Sequence, residues 1–296
     1  MENQKTIERS VSISGVGLHT GGKATITLCP AKAGSGIVFF RTDKNRSVPA
    51  TVNHVNPERS VLSTWLGDAS CSVQTVEHVL SAVHGMGIDN LLIEVDGPEL
   101  PILDGSARPI AWAIRSAGVR IQDRQKNIYR LTAPFTKTQG EKSFFARPSS
   151  VFRVDYEVDF GPVFVQKYSF VLSPFAYLNE ISAAKTFCRV EDLEQMRAAG
   201  MAKGGTLDNA LVLGKDGILN ADRQTYDNEL VRHKILDFIG DMRLLDAPLT
   251  GHFTVKKGGH RFHTECLREM FPYLRVGQES PAITYRSPEY RLEYSR

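Results

Sequence analysis

Residues 228–245 read NELVRHKILDFIGDMRLL, and the spacing of their apolar residues predicts one long helix. At about 100° per residue, the apolar side chains form one stripe and several ionisable side chains fall on the other side. The stripe consists of Val231, Ile235, Phe238, Met242 and Leu245. His233 and Asp237 are spaced i, i+4, so both can bind one metal ion, and Asp241 follows one turn later. A solvated polar face is the more common origin of such a pattern, and this helix alone does not decide between the two.

A second predicted helix, residues 75–84 (TVEHVLSAVH), repeats the arrangement. Glu77 and His78 project away from its apolar stripe, and a glutamate beside a metal-binding histidine is typical of zinc hydrolases. The HExxH motif is absent, and His84 lies on a different face, so we expect His84 to be structural. If the two helices meet, they supply two histidines and one aspartate, which leaves a fourth metal position for water.

The composition indicates an ordinary globular protein. The chain has 296 residues, of which 42% are hydrophobic and 23% are charged, and its length suggests two domains. The net charge of +3 is small and scattered, which argues against nucleic acid as the main partner. The N-terminal residues MENQKTIERS lack an apolar signal region, and no stretch approaches the roughly 18 apolar residues of a membrane span. We therefore expect a cytoplasmic protein.

The four cysteines lie far apart and form no CxxC pair. This spacing predicts neither a thiolate zinc site nor a disulfide framework. We expect reduced, structural thiols and a metal held by histidine and carboxylate. The cysteines are Cys29, Cys71, Cys188 and Cys266.

The order of the predicted elements indicates an α+β fold in two parts. The first half has predicted strands at residues 24–28, 37–40 and 90–95 and predicted helices at residues 75–84 and 106–117. A charged stretch, residues 122–130, separates it from the second half, so we place a boundary near residue 126 and expect domains at residues 1–126 and 127–296. The second half has predicted strands at residues 152–160, 163–172 and 251–255, and predicted helices at residues 191–199 and 228–245. This order suggests two similar α+β sandwiches packed on each other.

Two loops carry possible functional residues. Residues 17–23 (GLHTGGK) match the spacing of a phosphate-binding loop, but Ala24 replaces the required hydroxyl residue and a strand follows instead of a helix. Nucleotide hydrolysis is therefore disfavoured. In KKGGH, residues 256–260, paired glycines allow a sharp turn that presents His260. A loop histidine is more often a surface residue, and the same interpretation applies to His252 and His263.

Several segments together resemble the UDP-3-O-acyl-N-acetylglucosamine deacetylases of Gram-negative lipid A biosynthesis. These segments run in family order through nearly the whole chain, and the combination of EH, HKxxD and GGH is specific. They are SGVGLHTG (14–21), TVEHVLSAVHGMGIDN (75–90), PILDGSA (101–107), EISAAKTF (180–187), GGTLDNALV (204–212), VRHKILDFIGD (231–241) and KKGGH (256–260). The resemblance implies a β-α-α-β layered sandwich of two α+β domains, with one catalytic zinc ion at their junction.

The resemblance also implies roles for individual residues. His78, His233 and Asp237 match the zinc ligands. Glu77 matches the general base, and His260 matches a histidine that stabilises the oxyanion or protonates the leaving amine. The other implied catalytic-site residues are Asp241, which orients that histidine, Thr186, which donates to the oxyanion, and Lys234, close to the sugar.

The implied substrate is an acylated UDP-amino sugar. Leu62, Ser63 and Phe187 match positions around the sugar, and Phe160 and Lys257 match positions used for the uridine diphosphate. The segment 190–212 corresponds to an insert that forms an apolar passage for the acyl chain, and its implied lining includes Leu193 and Leu207. The family usually has glycine where this chain has Cys188, which leaves the preferred acyl length open.

Two alternatives remain open at this stage. A related zinc amidase could act on a different acylated sugar, in which case Lys257→Ala should have no effect on a substrate without uridine diphosphate. A binding module that has lost catalysis could keep the fold, but such a module has no need of Glu77, Thr186 and His260 beside a metal. We expect a monomeric enzyme that hydrolyses the acetamide of UDP-3-O-[(R)-3-hydroxyacyl]-N-acetylglucosamine.

Overall fold

The computed structural model describes residues 2–278, which form a mixed α and β structure. The last 18 residues of the predicted second domain lie outside the described residues. The six α-helices are α1 (Glu77–Gly85), α2 (Arg108–Ala117), α3 (Pro174–Ala176), α4 (Val190–Ala198), α5 (Glu229–Met242) and α6 (His260–Met270). The strands of the first part are β1 (Asn3–Ile7), β2 (Val11–Val16), β3 (Lys23–Pro30), β4 (Ile37–Arg41), β5 (Arg46–Pro49), β6 (Trp65–Gly67), β7 (Ser72–Gln74), β8 (Leu91–Val95) and β9 (Val119–Gln125). Those of the second part are β10 (Asn127–Leu131), β11 (Phe135–Gln139), β12 (Lys142–Arg147), β13 (Phe152–Asp159), β14 (Val165–Val171), β15 (Phe187–Arg189), β16 (Leu211–Leu213), β17 (Leu249–Lys256) and β18 (Leu274–Gln278).

Two larger sheets carry the helices. The five-stranded sheet has the order β2-β3-β8-β4-β5, and only its β4–β8 pair is parallel. In the seven-stranded sheet, β17 pairs antiparallel with β12 and parallel with β10 and β13. Strands β11, β14 and β18 extend this sheet outward. The pairs β1–β9, β6–β7 and β15–β16 form small separate sheets.

Helices α1 and α5 pack directly against each other, as the proposed metal site requires. Gly240 permits this close approach, because a Cβ atom at this position would overlap the carbonyl oxygen of Glu77. Apolar side chains of both helices, including Leu80 and Phe238, belong to one continuous hydrophobic core. Helix α5 also packs against α6 and strands β13 and β14. The helix is therefore covered on several sides, and the solvated polar face considered for it is wrong.

The ends of the predicted helices shift for local reasons. Thr75 has a φ of 60°, which a right-handed helix does not allow, so α1 begins at Glu77. Pro109 occupies the first turn of α2, where its missing N–H costs no hydrogen bond. The helix predicted at residues 191–199 is present as α4, and its side chains are exposed or partly exposed.

The charged stretch at residues 122–130 is not an open linker. It contains the end of β9 and most of β10; Asp123 and Arg124 are exposed, whereas Ile128 and Tyr129 are buried. Lys126, between the two strands, is buried with its Nζ atom 3.5 Å from Oδ1 of Asp89. The charged stretch therefore connects two strands that belong to different sheets. None of the helices within residues 2–278 is long and apolar enough to cross a membrane.

Candidate active site and metal centre

Three potential metal ligands meet where α1 and α5 pack together. Nε2 of His233 lies 3.3 Å from Oδ1 of Asp237, and Nε2 of His78 lies 3.7 Å from the same oxygen. One ligand atom from each residue falls within 4.8 Å of the others, and all three side chains are buried. The i, i+4 spacing on α5 and the first turn of α1 therefore give a group that could hold a metal ion.

The hydrogen bonds around these side chains fit a metal. Oδ1 of Asp237 is buried and has no hydrogen-bond donor among residues 2–278, whereas Oδ2 accepts a hydrogen bond from Nζ of Lys234 at 2.7 Å. An unpartnered buried carboxylate oxygen is costly, and a bound cation would remove that cost. His233 donates from Nδ1 to the carbonyl oxygen of Ala184 at 3.1 Å, which leaves Nε2 as the free ligand atom.

The ionisation of the histidines suits metal binding as well. Burial, together with the neighbouring His233, lowers the pKa of His78 to about 3. Burial also lowers the pKa of His233, although Asp237 opposes this effect. Both imidazoles are therefore neutral near pH 7, which is the form that binds a metal.

Glu77 lies next to this group with a carboxylate that can exchange a proton near neutral pH. Its Oε2 atom accepts a hydrogen bond from the backbone N–H of Thr64 at 2.9 Å, and Oε1 lies 3.9 Å from Nε2 of His260. Burial raises the pKa of Glu77 to about 7, even though the nearby His260 favours the charged carboxylate. A carboxylate with a pKa close to the working pH is suited to general base catalysis.

The carboxylate of Asp241 stabilises His260 as a cation. Its Nδ1 atom lies 3.0 Å from Oδ2 of Asp241, and the Thr64 hydroxyl donates to Oδ1 of the same carboxylate at 2.7 Å. Burial would lower the pKa of His260, but the carboxylates of Asp241, Glu77 and Asp237 outweigh burial and raise it to about 9. The Nε2 atom of His260 lies 3.8 Å from Oδ2 of Asp237, so a proton donor faces the metal group.

A cavity of about 1140 Å³ adjoins these residues. Thr186 lines it, and its backbone is fixed by a hydrogen bond to the Gly105 carbonyl and another from the N–H of Leu211, each at 2.8 Å. Phe187 lines the cavity, and its ring centroid lies 5.9 Å from that of His233. The cavity is therefore adjacent to the metal group. Other predicted site residues that line the cavity are Leu62, Ser63, Phe160, Phe187, Leu193 and Leu207.

Lys234 and Lys257 are not part of the cavity wall, but Lys234 lies near a residue that is. Nζ of Lys234 lies 5.6 Å from the centre of the Phe187 ring. Nζ of Lys257 lies 2.8 Å from Oδ2 of Asp159 and 3.0 Å from Oε2 of Glu141. Asp159 immediately precedes Phe160, which lines the cavity.

The residue at position 188, where the family usually has glycine, lies at the cavity. Cys188 is half-buried in its wall and belongs to β15, where it pairs with Val212 of β16. The residue therefore lies in the middle of a short strand at the cavity wall, and the preferred acyl length stays open.

The sequence interpretation missed two histidines. His263 was expected at the surface, but the structure buries it completely, because α6 turns this residue towards Asp241 and Tyr156. His19 lines the cavity, and neither of its ring nitrogens has a hydrogen-bond partner within residues 2–278.

Two other histidines lie away from the metal group. His252 is partly buried and contacts Asp155. His84 is buried, and its Nδ1 atom donates to the Ile239 carbonyl at 3.1 Å.

The loop at residues 17–22 joins β2 to β3, so a strand follows Lys23 and the phosphate-loop geometry is absent there. The loop already binds a carboxylate: the backbone N–H groups of His19 and Thr20 donate to Glu99 at 2.8 and 2.7 Å.

In the second loop, KKGGH, the residue with a left-handed backbone conformation is Lys257, with a φ of 50°. Gly258 is needed for space, because a Cβ atom there would overlap His263 and Tyr156.

Comparison with known proteins gives one consistent result. The sequence model of the family described as UDP-3-O-acyl N-acetylglycosamine deacetylase (LpxC) matches residues 4–272. A relative from Anaeromyxobacter sp. (strain Fw109-5) is 44% identical over 270 residues, covering 90% of this chain and 88% of the relative. A relative from Myxococcus xanthus (strain DK1622) is 43% identical, covering 90% of this chain and 86% of the relative. A relative from Saccharophagus degradans (strain 2-40) is 42% identical, covering 91% of this chain and 90% of the relative. All three relatives are named UDP-3-O-acyl-N-acetylglucosamine deacetylase.

Proposed function

The chain belongs to the UDP-3-O-acyl N-acetylglycosamine deacetylase family, and we propose that its buried site uses a zinc ion to hydrolyse an acetamide. The substrate is UDP-3-O-[(R)-3-hydroxyacyl]-N-acetylglucosamine, and the products are acetate and the free amine. This reaction belongs to lipid A biosynthesis. The observation that carries the proposal is the buried group of His78, His233 and Asp237 beside Glu77 and His260.

The proposed roles of the side chains follow from their positions. A divalent metal held by the three ligands would acidify a water molecule and polarise the acetyl carbonyl. Glu77, with a pKa near 7, accepts a proton from the attacking water. The hydroxyl of Thr186 donates a hydrogen bond to the oxyanion that develops on the carbonyl oxygen. His260, a cation with Nε2 towards the metal group, protonates the nitrogen as the C–N bond breaks.

The cavity is large enough for an amphipathic substrate, and its lining combines many apolar side chains with a few polar ones, as ligand pockets do. We assign the apolar wall containing Leu193 and Leu207 to the acyl chain. Leu62, Ser63, Phe187 and Lys234 contact the sugar, and Phe160 with Lys257 binds the uridine diphosphate. The ring of Phe160 lies 5.1 Å from that of Phe187, which supports neighbouring subsites for these groups.

We further propose that residues 1–126 and 127–296 are two α+β domains that form a layered sandwich with the site at their junction. Within residues 2–278, each sheet lies wholly on one side of this boundary, which supports the division. Glu77 and His78 come from the first part, whereas His233, Asp237 and His260 come from the second. The monomeric state and the cytoplasmic location stay predictions.

A comparison of substrates tests the activity. Acetate release should be measured with the acylated UDP-amino sugar, with UDP-N-acetylglucosamine, and with the acylated amino sugar that lacks uridine diphosphate. We expect the highest kcat/KM for the first compound, because it alone reaches the acyl and the nucleotide subsites. Equal or higher kcat/KM for the sugar without uridine diphosphate would instead identify an amidase for a different acylated sugar.

A pair of histidine variants tests the metal ligands. His233→Ala should lose stoichiometric zinc, because two protein ligands bind the ion much more weakly than three. His252→Ala is the matched control, since this histidine contacts Asp155 at the outer sheet rather than the metal group. If His233→Ala kept one equivalent of zinc and full activity, the assignment of the ligands would be wrong.

A further inference from the structure

Asp241 accepts a hydrogen bond from a second histidine besides His260. Nδ1 of His263 lies 2.8 Å from Oδ2 of Asp241, and Nε2 of His263 lies 2.9 Å from the hydroxyl of Tyr156. Both Tyr156 and His263 are buried, and they belong to β13 and α6. Four side chains, Tyr156, His263, Asp241 and His260, therefore form one continuous chain of hydrogen bonds that ends at the active site.

The chemistry of these groups fixes the direction of the hydrogen bonds. Burial, together with the nearby carboxylates of Asp237 and Asp241, raises the pKa of Tyr156 well above its ordinary value, so its hydroxyl is a donor. Burial lowers the pKa of His263 although Asp241 opposes this effect, so the imidazole is neutral and carries one proton. A carboxylate can only accept, so this proton must lie on Nδ1, and Nε2 must accept from Tyr156.

The surroundings leave His263 little freedom to turn. Its ring makes an edge contact with Phe238, with centroids 5.2 Å apart, and another with Tyr156 at 6.0 Å. The backbone of Gly258 passes so close that a Cβ atom there would overlap both Nε2 of His263 and the Tyr156 hydroxyl. The packing therefore holds the ring where its Nδ1–H points at Asp241.

We propose that Tyr156 and His263 are positioning residues for the deacetylation, because they hold the carboxylate of Asp241 in the orientation that fixes His260. Asp241 accepts three hydrogen bonds, from Thr64 on Oδ1 and from His260 and His263 on Oδ2. Without His263, the carboxylate can rotate, and Nε2 of His260 loses its fixed direction towards the reacting nitrogen. This inference rests on the proposed function, in which His260 is the proton donor.

Two substitutions at His263 test the proposal in the zinc-loaded full-length protein. His263→Leu removes the donor, and we expect kcat for acetate release to fall about 10- to 100-fold, with KM and bound zinc unchanged. His263→Asn keeps an N–H group close to the position of Nδ1, so it should restore most of kcat. Parental kcat in His263→Leu would overturn the proposal, and so would equal losses in the leucine and asparagine variants.

A pair of tyrosine variants separates positioning from general packing. Tyr156→Phe removes the hydroxyl at the far end of the chain, and we expect a lower kcat with unchanged KM. Tyr177→Phe is the matched control, because its buried hydroxyl bonds to Ser81 at 3.0 Å and has no contact with the hydrogen-bond chain. A loss of kcat in Tyr177→Phe as large as in Tyr156→Phe would show an effect of packing and would contradict the inference.

Histidine ¹⁵N NMR tests the chain even if the parent protein does not turn over this substrate, which would refute the proposed function alone. The inference predicts that His263 carries its proton on Nδ1 and that the His260 ring signals shift in His263→Leu. A proton on Nε2 of His263, or unchanged His260 signals, would refute the hydrogen-bond chain independently of activity.

Discussion

Gly240 of α5 lies directly against the carbonyl oxygen of Glu77 in α1, with no room for a side chain between them. This contact sets the distance between the two helices that carry the proposed metal ligands. The contact fixes Glu77 and, with it, the next residue of α1, so that Nε2 of His78 lies 3.7 Å from Oδ1 of Asp237 on α5.

Gly240→Ala should therefore disturb both stability and the site. The added methyl group must push α1 away from α5, and such overpacking typically costs about 1–3 kcal/mol in the free energy of unfolding. We also expect weaker zinc binding, because His78 moves away from Asp237. Denaturant unfolding and a zinc titration measure the two effects, and Gly217→Ala, where a Cβ atom has open space and φ is not positive, controls for the loss of a glycine. An unchanged zinc affinity would show that the helix contact does not set the geometry of the ligands.

Glu77→Ala should separate catalysis from metal binding. The variant should keep one equivalent of zinc, because Glu77 is not one of the three ligands, and it should lose about 100- to 10,000-fold in kcat, the usual effect of removing a general base. Acetate release and metal analysis on the same sample check both expectations. A fully active Glu77→Ala protein would refute the role of this carboxylate.

Lys257→Ala should weaken binding of the nucleotide. We expect KM to rise about 10-fold with little change in kcat, because a charge-assisted hydrogen bond is lost from a group remote from the amide. Lys256→Ala is the matched control, since the neighbouring lysine pairs with Glu157 instead. The two variants should be compared by steady-state kinetics. Equal effects in both would indicate a general loss of positive charge rather than a specific contact.

The sequence predicted most of the elements around the site, but it could not predict how they meet. The long helix at α5 and the pair Glu77-His78 were visible because apolar periodicity and the i, i+4 spacing are local properties. The burial of Asp241 and His233 was not, because it depends on α1 and α6, which are distant in the sequence. The resemblance to a known family supplied that information for His260 and the ligands.

The contacts of His263 could not be predicted from the sequence. Its position in the sequence, three residues after His260, indicated no role, and we expected it at the surface. Only the packing of α6 against α5 and β13 brings it to Asp241 and Tyr156.

The stability of the protein should fall as the pH is lowered from 7 towards 4. The pKa of the buried His84 is about 3 in the folded protein, because burial and the neighbouring Arg243 lower it, whereas it is about 6.5 in an unfolded chain. Between these values the unfolded chain binds a proton at His84 that the folded chain does not. The contribution of His84 to the free energy of unfolding is therefore fully present above pH 6.5 and decreases as the pH falls below that value. One such group lowers the free energy of unfolding by up to about 1.4 kcal/mol for each unit by which the pH falls.

Denaturant unfolding of the zinc-saturated protein at pH 7, 6 and 5 measures this slope. His84→Gln should have a smaller slope than the parent, because glutamine does not bind a proton in this range. Equal slopes in the two proteins would mean that His84 does not contribute to the pH dependence.

The most direct test of the central claim is acetate release from the acylated UDP-amino sugar by protein that has been stripped with a chelator and then titrated with zinc. Activity should disappear when the metal is removed, because Glu77 and His260 alone cannot polarise the acetyl carbonyl. It should return as zinc approaches one equivalent. Undiminished turnover by protein verified to be free of metal would contradict the account.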